Sequence, residues 1–379
     1  MIRQTIALLC SVFTLLGASA QNNSKTLLFV GSYTNDQPAN GITVFSFDTN
    51  SGTLTKLNQA ENITNPSFLT ISPNGKFLYS CSDTKMPKPG SITAFGIDAT
   101  NGKLTYLNKH PSGGENPVYV AVDKSNRFLV TGNYSSGTVS LLSINKNGSL
   151  SPDVETIAFK DSSISKSRQE KSHIHSTFFD PTFNFIFAPD LGADKIRAFA
   201  FNRNQKPHLI SREDLTVKTT PGSGPRHFAF HPNKRFGYLI EELTGTISTY
   251  GYSNGHLAPI QSIFSYSKKR DSYGTADIHI SPDGKFLYAS NRFVGENTIA
   301  IFAINPLSGK LSLVGHQSTD GDHPRNFTID PSGKFLLVAN MLTNNIVVFK
   351  RDIKTGLLTK VGEEKSVSKP SCLQMRVYR

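Results

Sequence analysis

Tryptophan is absent from this 379-residue chain, and methionine and cysteine number only four and three. Three cysteines cannot build a disulfide framework, and no Cys-x-x-Cys pair supports a zinc or redox centre. Charged residues make up 18%, too little for a disordered polyelectrolyte. Beyond the N-terminus, no apolar run approaches the roughly 20 residues that span a bilayer. Aromatics and glycine are plentiful instead, with 26 Phe, 12 Tyr and 29 Gly. Aromatic and β-branched side chains fit a pleated surface, so the composition favours β structure.

The first residues read as an address. Arg3, the apolar run 6–16 and the small-residue pattern Ala18-Ser19-Ala20 form a removable secretory signal over residues 1–20. Residues 21–379 are then the mature protein, one domain, periplasmic or secreted. Losing Arg3 changes the formal net charge from +12 to +11. The lysines behind that charge are scattered singly in turns such as Asn74-Gly75-Lys76 and Asp283-Gly284-Lys285, and Lys268-Lys269-Arg270 is the one tight cluster. Dispersed charge serves solubility, so neither nucleic acid nor a membrane is expected as a partner, and the protein is expected to be a monomer.

Internal repeats set the architecture. A strand-like pattern recurs seven times, beginning at Ile42, Ile92, Val139, Ile196, Ile247, Ile299 and Ile346, as in Ile42-Thr-Val-Phe-Ser-Phe-Asp48 and Ile299-Ala-Ile-Phe-Ala-Ile-Asn305. Most copies are followed by a small polar residue and Gly, as in Asn101-Gly-Lys-Leu104 and Ser308-Gly-Lys-Leu311, the chemistry of a tight hairpin. The fourth copy lacks that Gly. An earlier hairpin precedes each copy, as in the stretch from Phe68 to Tyr79 around Pro73-Asn-Gly. Four antiparallel strands in about 50 residues is one propeller blade. The start at Lys25 resembles a second strand with no first strand before it, and the segment from Lys369 to Met375 resembles the missing one. The expectation is an all-β, seven-bladed β-propeller of four-stranded antiparallel blades, its ring closed by the C-terminal strand.

Aligning the units on the turn residues Pro73, Lys124, Pro181, Pro232, Pro282 and Pro331 exposes the unusual positions. Six residues before each anchor stand Ser67, Val118, His175, Arg226, Ala276 and Arg325, with Ser371 in the closing strand. Ten residues after each stand Asp83, Tyr134, Leu191, Glu242, Arg292 and Met341. In a hairpin both sets fall at one rim of the central channel. Three arginines, a carboxylate and a histidine around one funnel suit an anionic ligand. His173 and His175 are two apart and face one way, but no carboxylate at useful spacing completes a metal site. A serine hydrolase elbow is missing. His227, His279 and His323 are expected to serve packing or the rim, and Arg197 lies away from the mouth, where substitution should leave turnover alone. Cys81 and Cys372 fall in adjacent blades, which propeller geometry holds apart, so a disulfide is not expected.

Several segments carry a resemblance. His175-Ser-Thr-Phe-Phe-Asp-Pro181, Gly224-Pro-Arg-His-Phe-Ala-Phe-His-Pro232, Glu241-Glu-Leu243, Tyr288-Ala-Ser-Asn-Arg292 and Pro324-Arg-Asn-Phe-Thr-Ile-Asp-Pro-Ser-Gly333 resemble the seven-bladed lactonase family. That family includes 6-phosphogluconolactonase of the pentose phosphate pathway and the fungal carboxy-cis,cis-muconate cyclase. The resemblance implies His175, Arg226, Glu242 and Arg292 as catalytic residues. It departs from the family at Glu241, where Asn is usual, and in the leader, which is unusual for an enzyme of cytosolic sugar phosphates.

The resulting expectation is hydrolysis of an anionic sugar lactone with no metal or other cofactor. His175 is the base, Arg226 or Arg292 holds the oxyanion, and Arg325, His173 and Asn291 bind substrate. Glu242 either orients an arginine or donates to the leaving oxygen. Two alternatives are a lactonising cyclase using the same residues and a non-catalytic secreted propeller that binds a partner or glycan.

Overall fold

A computed structural model describes residues 24–83, 89–293 and 295–379. The expected leader, residues 1–20, lies outside the described residues. Every regular element among them is a β-strand, and the strands assemble into seven antiparallel sheets. Blades two, three, five and six are each four consecutive strands, for example Pro66–Ile71, Phe77–Ser82, Pro89–Ile97 and Leu104–Glu115 in blade two. In blades four and seven the outer strand is split into two short pieces. The fourth unit, which lacks the turn glycine, keeps only Leu209–Ser211 and Val217–Lys218 there.

Closure follows the expected route. Pro370–Tyr378 pairs antiparallel with Lys25–Ser32, and the first sheet runs from Leu54–Ala60 through Ile42–Phe47 to that closing strand. The C-terminal segment thus supplies the inner strand of blade one, so the strand Lys25–Ser32 is paired on both sides.

The apolar core is distributed between neighbouring blades. Phe187, Phe228, Tyr250 and Tyr252 belong to one cluster between blades four and five, and Phe236, Leu287 and Phe302 to one between five and six. The hairpin glycines take part. Gly309 has φ +71°, and a Cβ there would lie 2.6 Å from the Phe236 ring of the preceding blade. Its carbonyl accepts a hydrogen bond from Tyr238 Oη, and Gly148 and Gly356 accept the same bond from Tyr79 and Tyr288. Each turn thus serves its own hairpin and the neighbouring blade at once. Cys81 and Cys372 are both buried and free.

At the inner end of the blades, the strands break register. The ladder shifts between Pro66 and Phe68, Pro117 and Tyr119, Pro225 and His227, Thr275 and Ile278, and Pro324 and Asn326. In the closing strand Gly31 faces Cys372 while Ser32 faces Pro370. Ser67, Val118, Arg226, Ala276, Arg325 and Ser371 are therefore at β-bulges, which bend the strand and re-aim a side chain. Those are the residues expected six positions before each anchor.

Removing residues 370–379 would unpair the strand Lys25–Ser32 and open the ring. The shortened chain is expected to aggregate or to lose its cooperative thermal transition. A truncated protein that melts as the full chain does would contradict closure by this strand.

Candidate active site at the channel mouth

The two rim sets meet because five of the hairpins are each clamped by one main-chain bond. The amides of Asp83, Tyr134, Leu191, Glu242 and Met341 donate to the carbonyls of Asn65, Asn116, His173, Gly224 and His323 at 2.8–3.0 Å. The end of each second strand is thereby fixed beside the bulge of the first. A cavity of about 380 Å³ opens there, and Val118, His175, Arg325, Asp83, Tyr134, Glu242, Arg292 and Met341 all line it. Asn116, Arg168, Phe293 and His323 complete its wall. Larger clefts of about 840 and 750 Å³ lie on the flank of blade one. The 840 Å³ cleft has no histidine or carboxylate in its lining, so the mouth is the chemically equipped cavity.

Glu242 is the centre of the cluster. Its Oε2 accepts from Arg226 Nε at 2.7 Å and Arg292 Nη2 at 3.2 Å, and its Oε1 accepts from Arg168 Nη2 at 2.6 Å. Burial raises its pKa, but Arg292, Arg226, His175 and Arg168 outweigh that and hold the carboxyl well below the usual range. Glu242 is therefore an anion and not a proton donor. Arg226 is 1% exposed and lies beneath the cavity floor; burial and Arg292 push its pKa down to about 9, still cationic at neutral pH. Its Nη1 donates to the Ala276 carbonyl and faces His227 Nε2 at 3.3 Å. Arg292 Nε donates to the Gly274 carbonyl at 2.8 Å, and its Nη1 to His323 Nε2 at 3.1 Å.

His175 is 6% exposed, with Nε2 at 4.0 Å from Glu242 Oε2 and no hydrogen-bond partner on Nδ1. Burial, then Arg226, drives its pKa well below 6.5, so the ring is neutral at pH 7. Arg325, by contrast, sits over the Tyr33 ring at 5.3 Å. Among the described residues its guanidinium has no ion pair or hydrogen bond. The mouth thus offers a neutral base, a locked carboxylate and cationic forks, a combination suited to opening an anionic ester.

Two expected substrate contacts fall elsewhere. Blade four has almost no inner strand, only Phe178–Phe179, and His173 stacks on Tyr134 at 4.4 Å with its nitrogens facing the Tyr134 carbonyl and Glu170. Asn291 is fully buried, bonded to Ser265 and Thr298. Neither lines the mouth cavity. Arg197, expected away from the mouth, is absent from its lining. It is 2% exposed, paired with Asp190 and Asp161 and packed over Phe159, so its loss would unseat the start of the following loop. Glu241 turns away from Glu242 towards Thr246 and Ser248. Arg168 escaped the sequence reading because it stands outside the repeat; the widest gap between copies, from Val139 to Ile196, was its only trace. His323, expected at packing or the rim, lines the mouth, and its positive φ, +62°, recurs in sign at the equivalent Asn65, Asn116, Gly224 and Lys369 of other blades.

The fold is a seven-bladed β-propeller with arginines, histidines and a carboxylate gathered at one mouth. A model of the family "Lactonase, 7-bladed beta-propeller" matches residues 27–375. The chain is 46% identical to a 6-phosphogluconolactonase of Formosa agariphila, over 93% of this chain and 99% of that one. It is similar to a solved structure of a candidate 6-phosphogluconolactonase from Bacteroides fragilis, with TM-score 0.88, 38% identity and coverage of 94% and 99%. The periplasmic gluconolactonase of Pseudomonas aeruginosa is similar at TM-score 0.85 and 32% identity, covering 93% and 99%. This chain belongs to the seven-bladed β-propeller lactonase family.

Two stability measurements follow from the charges. Glu242→Gln would strand Arg226 and Arg292 without a counter-ion, and losing one partner of a buried pair costs about 3–5 kcal/mol. Urea unfolding should register that loss; an unchanged midpoint would contradict the counter-ion role. His175, His227 and His323 have folded pKa values below 6.5, and Glu242 below 4.5. The unfolded chain therefore binds more protons in acid. Stability should be full above pH 6.5 and fall as the pH drops through 4.5; His279, raised by Asp277, and Asp83 and Glu241, raised by burial, oppose this and are outweighed. A urea midpoint that stays flat or rises from pH 7.5 to 4.5 would contradict the assignment.

Proposed function

We propose that this protein hydrolyses a sugar lactone carrying an anionic group, bound at the channel mouth. The observation that carries the reading is a neutral, unpartnered imidazole, His175, set 4.0 Å from a carboxylate locked by arginines. His175 takes a proton from water, and the hydroxide adds to the lactone carbonyl. The tetrahedral oxyanion collapses, the ring C–O bond breaks, and the protonated imidazole returns its proton to the leaving ring oxygen. Glu242, ionised throughout, stabilises the imidazolium and holds Arg226 and Arg292 in place. No step requires a metal or organic cofactor. Arg325, free of ion pairs among the described residues, receives the anionic group of the substrate, carboxylate or phosphate.

Similarity to lactonases over nearly the whole chain supports this chemistry. The leader-like residues, with the similarity to a periplasmic gluconolactonase, support a periplasmic or secreted location.

The test is an initial-rate assay on aldonolactones with and without phosphate. His175→Ala should lower kcat by about 10²–10⁴-fold, the usual contribution of a positioned base. Arg325→Lys should raise KM more than it lowers kcat, because an ammonium cannot replace a planar fork. If wild type and His175→Ala both run at the uncatalysed rate, the protein is a binding propeller instead. Ring closure of a muconate-type acid without lactone opening would favour the cyclase.

A further inference from the structure

The four arginines around Glu242 differ in what they have left to offer. Arg226 and Arg292 are 1% and 3% exposed, and both are tied to main-chain carbonyls as well as to Glu242. Arg325 stands on the far wall with Tyr33 and Asp83, where a second cavity of about 290 Å³ adjoins the mouth. Arg168 is different again. It comes from the connection between blades three and four, which also delivers His175, and its side chain is 40% exposed. One nitrogen, Nη2, holds Glu242 Oε1 at 2.6 Å. The loop that carries it is anchored on both sides. Gln169 is fully buried, donating to the Leu191 carbonyl and accepting from the Ser165 amide, while Ser163 bonds Asp194.

An arginine fixed at its backbone, attached by one nitrogen to the carboxylate beside His175, close to the Tyr134 hydroxyl and still 40% exposed at the cavity wall, can turn its remaining N–H groups to the reacting end of a ligand. We infer that Arg168 is a further catalytic residue, donating to the lactone carbonyl oxygen as it becomes the tetrahedral oxyanion. This rests on the lactonase reading above. It divides the work: Arg226 and Arg292 hold Glu242, Arg325 takes the anionic tail, and Arg168 meets the charge that develops during reaction. Because the donor acts in the transition state, its loss should appear in kcat rather than KM.

The experiment compares wild type, Arg168→Gln, Arg168→Lys and Arg168→Ala on the best lactone substrate, with melting temperature read alongside. Arg168→Gln should lower kcat by about 100-fold with KM changed less than about threefold, as for removal of one oxyanion donor. Arg168→Lys should retain part of the rate, and free guanidinium should restore part of it to Arg168→Ala. A merely structural arginine would give no such rescue. If His175→Ala is inactive but Arg168→Gln keeps the wild-type kcat, this inference fails while the lactonase reading stands. If KM alone rises, Arg168 binds ground state only, and the inference is again overturned. A wild type without lactone turnover overturns both together.

Discussion

A carboxylate buried at 5% exposure is tolerable only with compensation, because each desolvated ion carries a penalty of several kcal/mol. Glu242 meets that requirement with cations from three places in the chain: the loop after blade three, the bulge of blade five and the end of the second strand of blade six. No single blade can supply them. The site therefore exists only when blades three to six are packed side by side. In that packing the turn glycines Gly148, Gly309 and Gly356 each admit a phenylalanine of the preceding blade and accept the hydroxyl of a tyrosine two residues further on. The constraint on Glu242 is thus also a constraint on the ring.

Below the mouth, a second polar layer ties the same residues to the closing strand. His227, next to Arg226, has Nδ1 at 2.8 Å from Asp277 Oδ1, and the other oxygen faces His279 Nε2 at 2.9 Å. Asn326 also donates to Asp277, while its Oδ1 accepts from the Leu373 amide at 2.7 Å. Leu373 belongs to the closing strand. Arg226, at the floor of the site, is consequently two contacts from Asp277 and four from the C-terminal segment. Fully satisfied buried networks of this kind rigidify what they support, so His175 and Glu242 meet on a fixed base.

Much of this was legible in the sequence because propeller geometry repeats. Counting from each turn proline located Arg226, Arg325, Glu242 and Arg292 at one rim, since the bulge and the clamp recur in nearly every blade. What the count misplaced were features outside the repeat. Blade four lacks its inner strand above Phe178, so the two-residue rhythm that put His173 beside His175 does not describe a ladder there. Asn291 is one residue from Arg292 yet faces Ser265, because adjacent strand residues point to opposite sides. Arg168 lies in an irregular polar stretch with no periodicity to mark it. The ion pairs of Arg197 were not legible, because its partners Asp161 and Asp190 lie in a distant loop and on another strand.

The central claim is that the mouth, with His175 and Glu242 at its reacting end, is where the lactone is opened. A crystal structure with the aldonate product bound tests it most directly. The account predicts the new carboxylate within about 3 Å of a donor or base at His175 and Arg168, as hydrogen-bonded groups require, and the remote anionic group on Arg325. A product seated instead in the 840 Å³ cleft on the flank of blade one, with the mouth unoccupied, would contradict it.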